Sequence, residues 1–358
     1  MIQNTILQVM PDFGLAGAER MAEHLSAELS SRGWNVIAVS LFDRHTEITD
    51  ELESSGIEVV YLGKKPGLDI SMVSKLRRLF KITKPLVIHT HRYCMQYTMP
   101  ASLGLRLNSV HTVHNIAEKE VPPRIQVIQK MAFRSGRAVP VAINETVRKT
   151  ICDLYHLSYD SVPIVYNGVP ACKPSCVSLP GDPDSFACLN IGRLMPQKNQ
   201  AALIRAFVSF HEHYENVKLV IIGDGERRAA LQNQIDELGA SEYIFLMGVL
   251  KNARDYCYAA DAFVLPSLYE GMPMTLVEAM MAGIPVLVSR GGGSVDLVQD
   301  GVTGYLCESD APSIESALLR LYRDADRKNI GDAGRKQSLD YTVSAMADGY
   351  ERVYAKWA

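Results

Sequence analysis

The stretch Glu270-Gly271-Met272-Pro273-Met274-Thr275-Leu276-Val277-Glu278 follows an apolar run, residues 262–266, that has the length of a buried strand. The glycine and the proline within it oppose helix formation in its first half, and Gly283 is a residue type that ends helices. The sequence therefore predicts a strand, a loop and a short helix over residues 275–282. This succession is the repeating unit of an α/β fold.

Two carboxylates flank the predicted helix start, with Glu270 on the loop and Glu278 on the second helical turn. A helix that begins at the carboxyl end of a strand offers unpaired backbone N–H groups and a positive dipole end, which favour an anionic or hydroxyl-rich ligand. Because carboxylates repel phosphate, we expect both glutamates to accept hydrogen bonds from hydroxyl groups. The motif predicts a ligand that carries both phosphate and sugar hydroxyls.

Apolar runs of strand length alternate with helical patterns along the chain, which predicts α/β architecture with parallel sheets and crossover helices. The predicted strands are 6–10, 35–41, 57–61, 86–90, 109–113, 138–143 and 163–166, then 186–191, 217–222, 243–247, 262–265, 285–288 and 304–307. The proline-rich stretch 170–184 separates the two series and is the predicted linker. Two doubly wound sheets result, and we expect the ligand beyond the carboxyl ends of their strands, in a cleft between two facing domains.

Composition excludes several classes of protein. A chain of 358 residues with 47% hydrophobic content has about the length of two domains, and a net charge of −3 gives no reason to expect a nucleic-acid partner. The seven cysteines form no CxxC pair and no zinc-type spacing with histidine, which indicates a reducing cytoplasm without a disulfide framework or a zinc site. Neither a signal peptide nor a membrane-spanning segment is expected.

A second loop, residues 190–199, also lies between a predicted strand and a predicted helix and carries Arg193 and Lys198. Two cations five residues apart can converge on one pyrophosphate, with arginine as a planar fork and lysine as a movable point charge. A solvated pair of loop cations is the alternative. The predicted anion site at the equivalent edge of the same domain favours the pyrophosphate interpretation.

Other glycine-containing loops give weaker signals. The loop 12–20, with Gly17, is either a tight turn or a backbone approach to a ligand, and its glycine spacing is a weak dinucleotide signal. Residues 223–226 are predicted to cap the next helix, and Gly248 ends a strand where backbone groups could lie beside a base. Residues 291–294 are predicted to form a mobile loop in which the serine caps a helix.

Histidines cluster at the ends of two predicted strands, and among them His114 is the preferred functional residue, with His91 as the second choice. A metal site is the alternative, but no carboxylate or cysteine completes a compact set of ligands. Two segments, 72–84 and 123–137, combine a basic face with an apolar stripe. They are either solvated surface or a surface attracted to anionic lipid headgroups.

Six motifs occur in one order along the chain: Gly17-Ala18-Glu19-Arg20, Thr112-Val113-His114, Tyr166-Asn167-Gly168-Val169, Gly192-Arg193 with Lys198, Gly223-Asp224-Gly225, and Glu270 with Glu278. With them the chain resembles the retaining glycosyltransferases of family 4, which have the GT-B architecture of two facing Rossmann-like domains. The resemblance implies an acceptor-binding domain over 1–169 and a nucleotide-sugar-binding domain over 170–341. It also implies that a terminal helix, 342–358, crosses back onto the first domain.

The resemblance also assigns roles to single residues. His114 would contact the transferred sugar, Arg193 and Lys198 the donor diphosphate, and Glu270 the sugar hydroxyls, which makes these four the predicted catalytic residues. Glu278 would contact the ribose. The predicted donor-binding residues are Gly17, Gly192, Gly248, Val249, Gly271, Met272, Pro273, Met274, Thr275 and Glu278.

The implied activity is retaining transfer from a nucleotide sugar, with UDP as the expected nucleotide and GDP as the second choice. The expected acceptor is a glycan, lipid-linked, in the synthesis of capsule, exopolysaccharide or lipopolysaccharide at the inner membrane face. No cofactor and no metal are expected. A nucleotide-sugar 2-epimerase and a catalytically silent sugar-nucleotide-binding subunit are the alternatives. Incubation without an acceptor separates the epimerase, since it alone converts the nucleotide sugar, and the intact motif residues argue against the silent subunit.

Overall fold

The computed structural model describes residues 4–14, 17–171 and 176–357. It divides into two compact units, Met1–Pro170 with Thr342–Ala358, and Ala171–Tyr341. The sequence placed the division one residue earlier, after residue 169. Residues 172–175 of the predicted linker and residues 15 and 16 of the first glycine loop lie outside the described residues.

The first unit is built on six parallel strands. They are β1 (Thr5–Met10), β2 (Asn35–Ser40), β3 (Glu58–Tyr61), β4 (Val87–His91), β5 (Asn108–Val113) and β6 (Val139–Ala142). Their order in the sheet is β3-β2-β1-β4-β5-β6. The strand predicted at 163–166 is wrong. Pro163 has no N–H group to donate to a ladder, and the segment forms an isolated bridge between Ile164 and Ala142.

The second unit is built on six further parallel strands. They are β7 (Phe186–Ile191), β8 (Val217–Ile222), β9 (Ile244–Gly248), β10 (Ala262–Leu265), β11 (Val286–Ser289) and β12 (Tyr305–Cys307). Their order is β12-β11-β10-β7-β8-β9. Counted within its own unit, each sheet has the same strand order. The predicted α/β class with two doubly wound parallel sheets is confirmed.

Helices connect these strands and cover the sheets. They are α1 (Gly17–Ser31), α2 (Glu47–Ser54), α3 (Ser71–Thr83), α4 (Met95–Ala101), α5 (Ala117–Glu120), α6 (Pro123–Arg134), α7 (Glu145–Tyr155), α8 (Gln200–His213), α9 (Arg228–Glu237), α10 (Met274–Ala282), α11 (Ala311–Arg323), α12 (Arg327–Ser338) and α13 (Val343–Tyr354). In α3, Met72, Leu76 and Phe80 recur every fourth residue and are buried in one cluster with Leu7 of β1. The helical period therefore decides which face of α3 covers the sheet.

The terminal helix α13 packs against α1 in the first unit. Arg32, which follows α1, donates to Asp348 at 2.5 Å and to Glu351 at 2.7 Å. The indole of Trp34 donates to Glu351 at 2.8 Å. The apolar stripe of α13 is buried and consists of Met346, Ala347, Tyr350, Val353 and Tyr354.

The strand orders define one switch point in each sheet, where the chain leaves neighbouring strands in opposite directions. The switch point lies between β1 and β4 in the first sheet and between β7 and β10 in the second. In open α/β sheets, ligands bind beyond the carboxyl ends of the strands at these points. The loops after β1, β4, β7 and β10 are therefore where functional side chains are expected.

Candidate functional site

In the second unit, the loops that follow β7 and β10 meet beside the switch point. The first carries Lys198 and the second carries Glu270, and Lys198 Nζ donates to Glu270 Oε1 at 2.6 Å. The exposed fractions of these side chains are 17% and 9%. Charges this far withdrawn from water need a partner in good geometry. The two side chains therefore form a partly buried ion pair at the carboxyl edge of the sheet, where doubly wound sheets bind ligands.

Side chains on both sides of the lysine tie its loop to the glutamate loop. Gln197 Nε2 donates to the backbone oxygen of Tyr269 at 2.8 Å. Asn199 Nδ2 donates to the backbone oxygens of Pro266, at 3.1 Å, and Ser309, at 2.7 Å. These two amides were not among the predicted site residues. Their position directly next to a predicted phosphate-binding lysine was the available signal.

Gly223 and Gly225 support the lysine loop from the end of β8. A Cβ atom on Gly223 would lie 2.0 Å from the backbone oxygen of Gly192, and one on Gly225 would lie 2.4 Å from that of Leu194. No side chain fits at either place. The predicted helix cap at 223–226 is wrong, since α9 begins later, at Arg228, and has no side-chain cap.

The glycines at 291–293 support the glutamate loop in the same way. Gly293 N–H donates to the backbone oxygen of Glu270 at 2.9 Å, and a Cβ atom on Gly292 would lie 2.3 Å from that oxygen. The loop is therefore packed against residue 270. The predicted cap at Ser294 is wrong, because this residue lies inside a short 3-10 helix, Gly293–Asp296. Three consecutive glycines were the sequence signal for this close backbone approach.

The helix α10 begins at Met274, directly after the glutamate loop, and Pro273 at its N-cap provides no side-chain hydrogen bond. Its first N–H groups have no acceptor within the helix, which leaves a positive dipole end near the ion pair. Thr275 and Glu278 lie half-buried on its first two turns. Of the predicted donor-binding residues before them, Gly271, Met272 and Pro273 are buried and Met274 is half-buried.

Four other predicted residues lie on the lysine loop or beside it. Gly192 follows β7, and a Cβ atom on it would make ordinary contact, at 3.6 Å, with the Lys198 side chain. Arg193 is exposed, so its guanidinium is accessible to an anion. Gly248, with a φ of 74°, ends β9 and accepts a hydrogen bond from Gly223 N–H at 2.8 Å, while Val249 is exposed.

In the first unit, His114 follows β5 and lies beside a buried polar chain. Its Nε2 atom is 2.9 Å from His91 Nδ1, and His91 Nε2 is 2.9 Å from Gln8 Oε1. The Nδ1 atom of His114 is buried and has no hydrogen-bond partner among the described residues. Burial and the nearby Arg92 lower the pKa of His114 to about 3. The imidazole is therefore neutral near pH 7.

Two further histidines of the adjacent strands are fully buried. His89 lies 2.7 Å from Tyr354 Oη and 2.7 Å from Thr112 Oγ1, and His111 Nδ1 lies 2.8 Å from Thr90 Oγ1. Burial lowers the pKa of each, to about 3 for His111. These buried polar side chains form hydrogen bonds with their neighbours in the interior and stabilise the first unit.

Glu120 lies close to His114. Burial raises the pKa of its carboxyl to about 7, although the carboxylate accepts hydrogen bonds from the backbone N–H groups of His114 and Asn115. A buried carboxyl at the end of α5 was not anticipated from the sequence. Its spacing from His114 carries no recognisable motif.

At the switch point of the first sheet, Gly17 is the first residue of α1, and a Cβ atom on it would contact nothing within 4 Å. Arg92 follows β4 with a φ of 51°, which is uncommon for a residue other than glycine. Its Nη1 atom lies 3.9 Å from Glu19 Oε1. Arg92 is a cation at this edge and was not among the predicted site residues.

The structure therefore brings Lys198, Glu270, Gly192 and the start of α10 together in the second unit. His114 and Gly17 belong to the first unit. Within residues 4–14, 17–171 and 176–357, no group of three or more histidine, cysteine, aspartate or glutamate side chains could hold a metal ion.

Two family models match the chain. The model described as glycosyl transferases group 1 matches residues 178–337, and the model described as glycosyltransferase family 4 matches residues 15–171. This chain belongs to the family 4 glycosyltransferases. The family likeness inferred from the motifs is thereby confirmed.

Curated relatives of this family 4 member include one from Methanocaldococcus jannaschii, an uncharacterized glycosyltransferase that is 43% identical over 104 residues. That match covers 29% of this chain and 26% of the relative. The UDP-Gal:alpha-D-GlcNAc-diphosphoundecaprenol alpha-1,3-galactosyltransferase of Escherichia coli is 29% identical over 278 residues, 72% of this chain and 71% of that protein.

Among solved structures, Anabaena HepE in complex with UDP and glucose superposes with a TM-score of 0.84 at 18% identity, over 98% of this chain and 99% of that one. At this identity the likeness shows the fold. This family 4 member thus has the GT-B fold, as the sequence predicted.

Proposed function

We propose that this protein is a retaining glycosyltransferase that transfers a sugar from a UDP-sugar to a lipid-linked acceptor glycan in surface polysaccharide synthesis. The ion pair between Lys198 and Glu270, beside the uncapped start of α10, carries the proposal. Lys198 and the positive end of the helix dipole can bind a diphosphate, and the carboxylate of Glu270 can accept hydrogen bonds from hydroxyl groups. The E. coli relative, which by its name uses UDP-Gal and a diphosphoundecaprenol-linked acceptor, supports UDP and a lipid-linked acceptor.

The leaving group determines which residues accelerate the reaction. When the sugar leaves, negative charge develops on the β-phosphate, and preorganised cations and N–H dipoles stabilise it. Lys198, exposed Arg193 and the first turn of α10 supply that charge. Glu270 accepts hydrogen bonds from the sugar and Glu278 from the ribose.

Retention is proposed to occur by transfer on the same face of the sugar, with the leaving phosphate removing the acceptor proton. A retaining glycosidase instead needs a nucleophilic carboxylate and an acid about 5 Å apart. Here the carboxylate of Glu270 accepts a hydrogen bond from Lys198, and it is assigned to the sugar hydroxyls and not to nucleophilic attack. Neutral His114 is assigned to the transferred sugar, where it can exchange hydrogen bonds with a hydroxyl.

No metal requirement is proposed, because Lys198, Arg193 and the helix dipole provide the charge stabilisation that a cation would otherwise provide. Transfer should therefore be unchanged after treatment with EDTA. Loss of transfer that returns with Mg²⁺ or Mn²⁺ would contradict this part of the proposal.

Nucleotide binding is the first experiment. UDP should raise the melting temperature more than GDP, since a ligand stabilises the folded state in proportion to RT ln(1 + [L]/Kd). The UDP-sugar that stabilises most is then used to measure turnover. Lys198→Ala and Arg193→Ala should each lower kcat by about 100-fold, the cost typical of removing one preorganised charge stabiliser. Undiminished turnover in both variants would reject the assignment.

A lipid-linked acceptor requires access to a membrane, and the first unit has a surface of suitable chemistry. Residues 64–137 hold 14 lysines and arginines against three acidic residues, a net charge of +11 in a chain whose total is −3. Helix α3 packs against α4, and α4 against α6. Large apolar side chains are exposed in this region: Leu68, Ile70, Ile82, Leu103, Val127 and Met131. Cations attract anionic headgroups by about 1 kcal/mol each near a surface, and apolar side chains insert below them.

Vesicle binding tests this surface. None of the helices in the described ranges is long and apolar enough to cross a bilayer, so the test concerns surface binding. The protein should cosediment with vesicles that contain phosphatidylglycerol and not with pure phosphatidylcholine. The double variant Arg78→Glu with Lys81→Glu should weaken binding about tenfold or more. The same charge change on exposed positions of the second unit, Arg205→Glu with Lys336→Glu, is the matched control. Equal binding to both kinds of vesicle would reject the proposal.

A further inference from the structure

Asn199 has an unusual backbone and an unusual use of its side chain. Its φ is 58°, a left-handed conformation that is uncommon outside glycine, and it occupies the N-cap of α8 without capping it. Its amide nitrogen instead donates to two backbone oxygens, those of Pro266 and Ser309. Because carbonyl oxygens can only accept, the orientation of this amide is determined.

Gln197 also connects the lysine loop to the backbone that follows β10. Its Nε2 atom donates to Tyr269 O, and its own backbone oxygen accepts from Leu268 N–H at 2.8 Å. Four hydrogen bonds thus join residues 197 and 199 to the backbone beyond β10 and β12. Lys198 lies between these two residues, and Glu270 directly follows Tyr269.

We propose that Asn199, assisted by Gln197, is a positioning residue that fixes the backbone of Lys198 so that its ammonium meets Glu270 and the donor diphosphate. The inference rests on the proposed function for the role of Lys198 toward a nucleoside diphosphate. The lysine side chain has four rotatable bonds, and 72 residues separate it from Glu270. A fixed backbone therefore lets Nζ turn from the carboxylate to a phosphate oxygen through side-chain rotation alone.

The isosteric change Asn199→Asp isolates this role. Aspartate tolerates the left-handed conformation as asparagine does, but it replaces two donated hydrogen bonds by repulsion between a carboxylate and two carbonyl oxygens. Asn252 is the matched control, since it lies in the same unit, is exposed and has a φ of 57°. Asn252→Asp makes the same chemical change at the same backbone conformation.

The first measurement needs no ligand. An amine-acylating reagent is added to the full-length protein, and the rate of modification of each lysine is read by peptide mass spectrometry. The ammonium of Lys198 is shielded by Glu270, so Asn199→Asp should raise its acylation rate several-fold, as Glu270→Gln should also do. Asn252→Asp should leave it unchanged.

Lys218 distinguishes positioning from general loosening of the unit. It is buried, with Nζ 2.7 Å from Asp182 O, and its acylation rate reports opening of the same unit. The proposal expects the rate of Lys198 to rise alone. An unchanged rate at Lys198, or equal rises at both lysines, would overturn it. If Asn199→Asp does not fold, Asn199→Gly retains the left-handed backbone, removes both side-chain bonds and is judged by the same outcomes.

The second measurement is a double-mutant cycle on UDP affinity by calorimetry. Asn199→Asp should weaken UDP binding about tenfold or more in the native background and less than twofold in the Lys198→Ala background, because residues that act through one another are not additive. Equal factors in both backgrounds would show that Asn199 does not act through Lys198. If Lys198→Ala alone leaves the UDP affinity unchanged, the proposed function is rejected. The acylation rates still decide the positioning role of Asn199 in that case.

Discussion

The buried histidines of the first unit should make its stability fall on acidification, and His111→Gln should reduce that fall. His89, His91 and His111 are fully buried, and burial lowers the pKa of each, to about 3 for His111. The unfolded chain binds protons at these residues near the usual histidine pKa of about 6.5, whereas the folded unit does not. Lower pH therefore stabilises the unfolded state, and the loss begins as the pH falls below about 6.5.

The magnitude follows from proton linkage. Each such histidine lowers the free energy of unfolding by about 1.4 kcal/mol per pH unit below its unfolded pKa, or about 2 kcal/mol at pH 5. His111 and His114, each with a folded pKa of about 3, together give about 4 kcal/mol, and His89 and His91 act in the same direction. Glu120 acts in the opposite direction, because its folded pKa of about 7 lets the folded unit bind a proton first. This recovers about 2 kcal/mol by pH 5, so the unit still loses about 2 kcal/mol or more.

The assay can follow this unit alone, because both tryptophans, Trp34 and Trp357, belong to it. Urea unfolding is monitored by tryptophan fluorescence from pH 7.5 to pH 5. His111→Gln should lose about 2 kcal/mol less than the native protein over this range, since the proton linkage of His111 itself is removed. His45→Gln, at an exposed position, is the control and should show the native dependence. Parallel curves for His111→Gln and the native protein would refute the reasoning.

Two further predictions concern single atoms. Gly292→Ala places a Cβ about 2.3 Å from a backbone oxygen at a φ of 72°, so the second unit should lose roughly 2–4 kcal/mol of stability in urea unfolding followed by circular dichroism. Gly239→Ala, at a φ of 64° with open space around it, should cost only about 1 kcal/mol, and equal losses would contradict the steric argument. Tyr354→Phe removes a hydrogen-bond partner of buried His89 and should lower the free energy of unfolding, followed by tryptophan fluorescence, by about 1–3 kcal/mol. The change Tyr159→Phe at an exposed position is the control and should leave the stability unchanged. An unchanged stability in Tyr354→Phe would count against the hydrogen bond between Tyr354 and His89.

Much of the fold was predictable because strands of parallel sheets are buried on both faces and appear as continuous apolar runs. The runs that became β1 and β10 are examples, and both are buried along their length. The segment 163–166 has similar composition, but it pairs with β6 only at the bridge between Ile164 and Ala142, since ladder formation depends on the neighbouring strand as well as on local preference.

The candidate site was predictable in its residue types and not in its connections. Lys198 and Glu270 could each be placed after a strand, because loops at that edge bind ligands. Their mutual hydrogen bond joins residues 72 positions apart, and no local pattern encodes it. The same holds for His89 and Tyr354, which are 265 positions apart. The assigned roles of these site residues in transfer remain predictions.

The return of α13 to the first unit also sets an order of events during translation. The first unit leaves the ribosome first, yet Tyr350 and Tyr354, which bond to Thr112 and His89 in its interior, are synthesised more than two hundred residues later. Until they arrive, His89 and Thr112 each lack one hydrogen-bond partner, and the face of α1 that packs against α13 is uncovered. The second unit, whose residues are continuous in the chain, can be completed earlier. The unit that begins synthesis first is thus the one that finishes folding last, and chaperones would meet it with its interior incomplete.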